Sequence, residues 1–204
     1  MEKKEWIYEY EKTANCQTKN GYEYTNVRYV LGEQFDTYCK KTLICIGINP
    51  SKAIPEQLDP TLKRVQKYAH NRKYGSWYML NVYPRRETNP KLLDKEADME
   101  IHRKNLTAIK NLLSKIKEAD VWCAWGNTIK KRKYLHDLLF GNTEKRIDGI
   151  ISLFNTNYHF KAYDSTVKGC PKHPLVISNN DRLKDLTEVG LIKLNDIINN
   201  LIRK

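Results

Sequence analysis

Three apolar runs dominate the hydrophobic pattern, and each ends at an asparagine: Leu43-Ile44-Cys45-Ile46-Gly47-Ile48-Asn49, Trp77-Tyr78-Met79-Leu80-Asn81 and Val121-Trp122-Cys123-Ala124-Trp125-Gly126-Asn127. Near-continuous runs of this kind, separated by longer helix-prone stretches, predict buried strands of a parallel sheet over 43–48, 77–81 and 120–125. Asp59-Pro60-Thr61 predicts a helix start, with Asp59 as N-cap and Pro60 at the first helical position, running to Arg72. Ile101, Leu106, Ile109, Leu112, Leu113 and Ile116 recur at helical spacing and predict a helix over 97–117. Further helices are expected over 128–140 and over 181–202, the latter capped from 179–181. Weaker strand signals lie at 147–153 and 160–163. Pro50 to Asp59 and Tyr83 to Asp94 read as loops.

Residues 1–41 read as an antiparallel preface. Tyr22 to Tyr29 is rich in aromatic and β-branched residues, and Asn20-Gly21 is a hairpin-type turn signal. No repeat, low-complexity tract or flexible linker divides the chain. The expectation is one domain over 1–204, a β preface followed by an α/β core over 42–204. The alternation of strand, loop and helix predicts a three-layer α/β/α sandwich around a central parallel sheet, plus an N-terminal β-hairpin.

Charge changes the picture. Lys and Arg number 36 against 24 Asp and Glu, a net +12, which favours a polyanionic partner through counterion release. A well-solvated lysine-rich surface has the same composition. The 13 Tyr and 4 Trp supply faces that stack on unpaired bases or simply pack. No apolar stretch reaches the roughly 20 residues that span a bilayer, so no membrane is expected. Met1-Glu2-Lys3-Lys4-Glu5 has no apolar signal region. The five cysteines form no CxxC pair and fit a reducing cytoplasm; no metal, no cofactor and a monomer are expected.

In parallel sheets, ligands bind outside the carboxyl ends of the strands. Asn49, Asn81 and Asn127 would therefore converge on one crevice, each offering donors and an acceptor to a polar planar group such as a nucleobase. An asparagine at a strand end is also a common turn former or helix cap. Asn127, directly before a helix, reads as an N-cap first and a base contact second. Lys130-Lys131-Arg132-Lys133 reads as a solvated helix face or, beside the crevice, as a phosphate contact. Arg85 and Arg86, next to Asn81, are the better phosphate clamps, because a guanidinium binds bidentately.

Gly47-Ile48-Asn49-Pro50-Ser51, Asp59-Pro60-Thr61, Asn81 with Arg86-Glu87-Thr88-Asn89-Pro90, Ala124-Trp125-Gly126 and Pro171-Lys172-His173-Pro174-Leu175 occur in that order. The set resembles domain-of-unknown-function family 1643 over roughly 28–178, with its LNPS, DPT, NLF, ATDP-like, WG and PRHPL segments. Glu87-Thr88-Asn89-Pro90 departs from ATDP and lacks a carboxylate at Asn89. The same positions are similar, more distantly, to the uracil-DNA glycosylase superfamily. Gly-Ile-Asn-Pro has the form of the first catalytic motif of its mismatch-specific branch. Tyr78 to Val82 is similar to the strand ending in a base-reading asparagine. Trp125-Gly126-Asn127 with Ile129-Lys130-Lys131 looks like WGN-x-AQKK, and His173-Pro174-Leu175 like the start of HPSPLS.

The resemblance implies a role for each residue. Asn49 would hold the attacking water through its amide oxygen, as a positioner and not a base, so turnover would be slow. Asn81 would read the base edge. His173 would donate to the base oxygen or sit in the minor groove. Gly47 and Pro50 would shape the turn towards the ligand, and Ser51 would contact phosphate. Tyr74, Trp77 and Tyr83 remain alternatives for the ring that stacks on the base. The expected function is binding of DNA or another nucleic acid with N-glycosidic hydrolysis of a damaged or modified base. The alternatives are a non-catalytic nucleic-acid binder and an enzyme of free nucleosides or nucleotides.

Overall fold

The computed structural model describes residues 5–14, 16–19, 21–89, 92–176 and 182–203. The three asparagine-ended runs become β5 (Thr42–Gly47), β6 (Ser76–Asn81) and β7 (Ala119–Cys123). β5 lies between the other two and is parallel to both, with Gly47 opposite Asn81 and Ile46 opposite Cys123. β5 and β6 are buried throughout. β8 (Tyr158–Ala162) adds a fourth parallel strand beside β7.

The sheet is mixed at its edges. β4 (Arg28–Gln34) pairs antiparallel with β6, β1 (Glu5–Tyr10) pairs antiparallel with β4, and the short β9 (Lys184–Asp185) pairs antiparallel with β8. The seven strands run β1-β4-β6-β5-β7-β8-β9. Part of the expected preface therefore belongs to the main sheet: the aromatic and β-branched stretch before Gln34 covers the edge of β6. Gln17–Lys19 (β2) and Tyr22–Tyr24 (β3) form a separate antiparallel pair. Asn20, of the expected turn, lies outside the described residues.

Helices cover both faces. Leu62, Val65 and Ala69 of α1 (Pro60–Asn71) pack on Leu43, Cys45, Trp77, Met79 and Trp122. The opposite face, with Ile44, Ile46, Leu80 and Val121, is covered by α2 (Met99–Leu113), α3 (Lys133–Phe140) and α4 (Ile192–Ile202). Local signals set two helix starts. Asp59 Oδ1 accepts from Leu62 N at 2.8 Å with Pro60 behind it, and Asp98 Oδ1 accepts from Glu100 N at 3.0 Å and Ile101 N at 3.1 Å.

Other boundaries differ from the sequence pattern. The stretch 128–140 is a 3-10 turn, Gly126–Lys130, followed by α3, because Arg132 is extended (φ −135°, ψ 126°). The stretch 147–153 contains a 3-10 turn, Ile150–Leu153, in place of a strand. α4 begins at Ile192, after β9 and a turn, where a helix from 181 was expected. Its expected cap at 179–181 lies outside the described residues.

Candidate functional site

The chain leaves β5 towards α1 on one face and leaves β7 towards α3 on the other. The carboxyl ends of β5 and β7 thus flank a topological switch point, where open α/β sheets bind ligands. Backbone bonds hold the neighbouring ends of β5 and β6 in register: Val82 N to Gly47 O at 3.0 Å, Tyr83 N to Ile48 O at 2.8 Å and Glu87 N to Pro50 O at 2.8 Å. Asn49 completes this zipper, its Nδ2 donating to Glu87 O at 2.6 Å and more weakly to Pro50 O at 3.3 Å. The Asn49 amide is thereby fixed in orientation, and its oxygen takes no partner among the described residues.

Asn81 is 1% exposed, and neither its Nδ2 nor its Oδ1 has a hydrogen-bond partner among the described residues. An unpaired buried amide costs roughly 1–3 kcal/mol, so a native chain seldom carries one without reason. Its backbone carbonyl, by contrast, is held by Asn105 Nδ2 of α2 at 2.9 Å. On its side-chain face stands Gly47: a Cβ built there would come within 3.3 Å of Asn81 Oδ1 and 2.5 Å of Met79 Cε.

The third edge comes from the loop ahead of α4. Gly126 N donates to Pro171 O at 3.0 Å, which draws Lys172 and His173 to the end of β7. Gly126 has φ +59°, a left-handed conformation that favours glycine, and a Cβ there would lie 3.9 Å from His173 Cβ. His173 Nδ1 accepts from Leu175 N at 3.3 Å, which assigns the ring proton to Nε2. Loss of solvation lowers the imidazole pKa, opposed by the Asp59 carboxylate. His173 is thus a neutral donor near pH 7. Asp59 also accepts from the Ser51 hydroxyl, so the start of α1 ties Ser51 into the same corner.

The remaining candidates are placed differently. Asn127 is exposed, and its Oδ1 accepts from Thr166 Oγ1 at 2.7 Å; it lies inside the 3-10 turn, whose cap position is Trp125. Tyr83 is buried, donates to Asp94 Oδ2 at 2.6 Å and packs on Tyr134 with ring centroids 5.4 Å apart. Tyr74 and Trp77 lie towards the other end of the strands, bonded to Asp120 at 2.6 Å and Glu33 at 3.1 Å. Arg85 pairs with Asp94 at 2.7 Å and more distantly with Asp98 at 3.9 Å. Arg86 binds the carbonyls of Ser51, Thr25 and Lys52 at 3.0, 2.9 and 2.5 Å and lies over the rings of Tyr10 and Tyr24. Lys130 is exposed and donates to Lys168 O at 2.6 Å, and Lys131 is exposed.

Two contributors were not singled out from the sequence. Arg28, 1% exposed, donates to Ala53 O at 2.7 Å and joins Arg86 in bracing the loop after β5. Asn105 braces the end of β6. Asp59, a helix cap and family-motif residue in the sequence, adds interactions with Ser51 and His173 that the sequence does not reveal. The signal for Asn105 was present, since it falls on the apolar stripe of α2 with Ile101, Ala108, Ile109 and Leu112. Among the described residues no group of three or more His, Cys, Asp or Glu is placed to hold a metal ion, and no helix is long and apolar enough to cross a membrane.

Fold and site together define an α/β protein with a mixed central sheet in which Asn81 ends one strand and Asn49 follows the end of its parallel neighbour. The sequence matches the family described as "Protein of unknown function (DUF1643)" over residues 28–175, and the chain belongs to that family. No curated protein and no solved structure matches it.

Proposed function

We propose that this protein binds nucleic acid, takes one base into the crevice beside Gly47, Asn81 and His173, and hydrolyses the N-glycosidic bond of a damaged or modified base. The carrying observation is Asn81, a buried carboxamide with both polar atoms unpartnered at a ligand-binding strand end. A base edge presenting a carbonyl beside an N–H would satisfy both atoms at once. The distant likeness of these motifs to the uracil-DNA glycosylase superfamily supports the same reading.

The chemistry follows from the residues. The base leaves the stack, at a cost of a few kcal/mol. A water oriented by Asn49 Oδ1 attacks the anomeric carbon, the glycosidic bond breaks, and its electron pair leaves with the base. Negative charge growing on the base oxygen meets Nε2–H of His173 and Nδ2–H of Asn81. The proton released by the water passes to solvent. With an amide in place of a carboxylate, Asn49 positions the water without taking its proton, so turnover is slow. Phosphate contacts fall to the exposed Lys130 and Lys131, since Arg85, Arg86 and the Ser51 hydroxyl are engaged within the protein.

The amide at Asn49 also favours a second reading, a binder that keeps the pocket without the chemistry. Oligonucleotides carrying uracil, hypoxanthine or hypermodified pyrimidines separate the two when incubation is followed by alkali. Strand breaks at the modified base support the hydrolase. Salt-sensitive binding without breaks supports the binder. Affinity unchanged between low and moderate salt removes both and favours a small neutral ligand.

A further inference from the structure

A cavity of about 770 Å³ opens at the opposite end of the sheet, where Thr42, Ser76 and Ala119 begin β5, β6 and β7. Its floor is apolar, formed by Ile7, Tyr78, Leu112 and Ile116. Within it, two buried hydroxyls, Thr42 Oγ1 and Ser76 Oγ, bond to each other at 3.0 Å. Four lysines stand around the cavity: Lys40, Lys41, Lys115 and Lys117.

These ammoniums are poorly compensated. Lys41 lies 4.2 Å over the Tyr74 ring and also feels the Asp120 carboxylate, whereas Lys40, Lys115 and Lys117 have no carboxylate of the described residues within ion-pair distance. Of the two carboxylates in the lining, Asp120 is committed to Lys161 at 2.7 Å and to the Tyr74 hydroxyl at 2.6 Å. Glu118 is exposed and faces His159 at 3.8 Å. Several lysines bordering one cavity suit a dianionic phosphate as point charges. An apolar floor under them suits a ring or chain attached to that phosphate, and the volume falls in the range of small-molecule sites.

We propose that this cavity is a second binding site, for a small organic phosphate whose apolar body rests on Tyr78, Leu112 and Ile116 and whose phosphate meets the lysines. It is independent of the strand-end crevice and of any reading of it. A phosphodiester backbone tracking the same lysines would need neither the concavity nor the apolar floor.

The test uses 1-naphthyl phosphate, which carries no nucleobase, titrated calorimetrically into the intact protein, with inorganic phosphate and 1-naphthol as controls. Saturable binding of 1-naphthyl phosphate at millimolar concentration or below is expected, with each control at least about tenfold weaker because each keeps one half of the contact. Lys115→Glu and Lys117→Glu, both at exposed positions, should each weaken binding by about tenfold. Asn81→Leu should leave it unchanged, which keeps this site's outcome separate from that of the crevice. Absence of saturable binding overturns the proposal. So does equal affinity for inorganic phosphate, and so does displacement of 1-naphthyl phosphate by an unmodified oligonucleotide, which would make the lysines a backbone track.

Discussion

Gly47 and Asn81 are Cα partners across the parallel β5–β6 pair, and the hydrogen face of Gly47 is what leaves room for the Asn81 carboxamide. Added there, a methyl group would press on Met79 Cε at 2.5 Å and sit 3.3 Å from Asn81 Oδ1. The small residue at this register position therefore accommodates the Asn81 amide and the Met79 side chain, whereas a strand alone would favour a larger side chain.

Gly47→Ala is expected to lower stability by only about 1–2 kcal/mol, since the nearest atom is the flexible end of a methionine that can move. On the proposed base pocket, ligand uptake should fall much further, because the added methyl stands 3.3 Å from Asn81 Oδ1, an atom assigned to the base edge. Thermal melts alongside oligonucleotide binding check this. A large stability loss with binding retained would show Gly47 to be a packing residue only.

For Asn81 two substitutions separate reading from support. Asn81→Leu removes both unpaired polar atoms while keeping the approximate shape, so melting temperature should hold or rise by a few degrees, on the order of 1 kcal/mol. Ligand binding should be lost. Asn81→Asp replaces the two N–H donors with an oxygen that carries charge, so preference should move from a base with a carbonyl at that edge, such as uracil, towards one with an amino donor, such as cytosine. Buried at 1% exposure, that charge should also cost several kcal/mol if no ligand or water meets it. A large fall in melting temperature without any change in base preference would make Asn81 structural.

What was legible in the sequence was local. The three apolar runs, the Asp59-Pro60 helix start and the spacing of α2 depend on neighbours in the chain, and they reappear at β5, β6, β7, α1 and α2. What was not legible depends on distant partners. Arg132 interrupts 128–140 where the turn Gly126–Lys130 is tied to the 164–170 loop through Asn127–Thr166 and Lys130–Lys168. Arg86 carries the sequence signature of a phosphate clamp, yet the carbonyls it binds belong to residues 25 and 51–52, which no local pattern reveals. That Asn49 and Asn81 lie at the ends of strands could be argued from the apolar runs alone, but the unpartnered state of Asn81 among the described residues required side chains.

Arg86 gives a prediction that distinguishes bracing from phosphate binding. Arg86→Lys keeps the charge but cannot reach several carbonyls at once, so stability should fall by about 2–4 kcal/mol. The salt dependence of oligonucleotide binding should keep its slope. Lys131→Glu should do the opposite, leaving the melt nearly unchanged while reducing the slope by about one or more counterions. A flattened salt slope in Arg86→Lys at unchanged stability would return Arg86 to the phosphate-binding surface.

Stability should also decline in mild acid, and His102 is the main reason. It is 1% exposed; Nε2 bonds to Asp148 O at 2.8 Å, which places its proton there, and Nδ1 has no partner. Burial lowers its pKa below the ordinary imidazole value, with the Asp148 carbonyl opposing. The unfolded chain therefore takes up a proton near pH 6.5 that the folded chain still refuses. The stability this difference contributes is fully present above the unfolded pKa and is lost as pH falls towards the folded value. His173 acts in the same direction, its imidazole pKa lowered by loss of solvation and raised in part by Asp59. Urea midpoints should accordingly drop between pH 7.5 and 5.5. His102→Gln retains a donor for Asp148 O and cannot titrate, so it should remove most of that drop, even if its midpoint at pH 7.5 is lower. An identical pH slope in wild type and His102→Gln would assign the acid sensitivity to other groups.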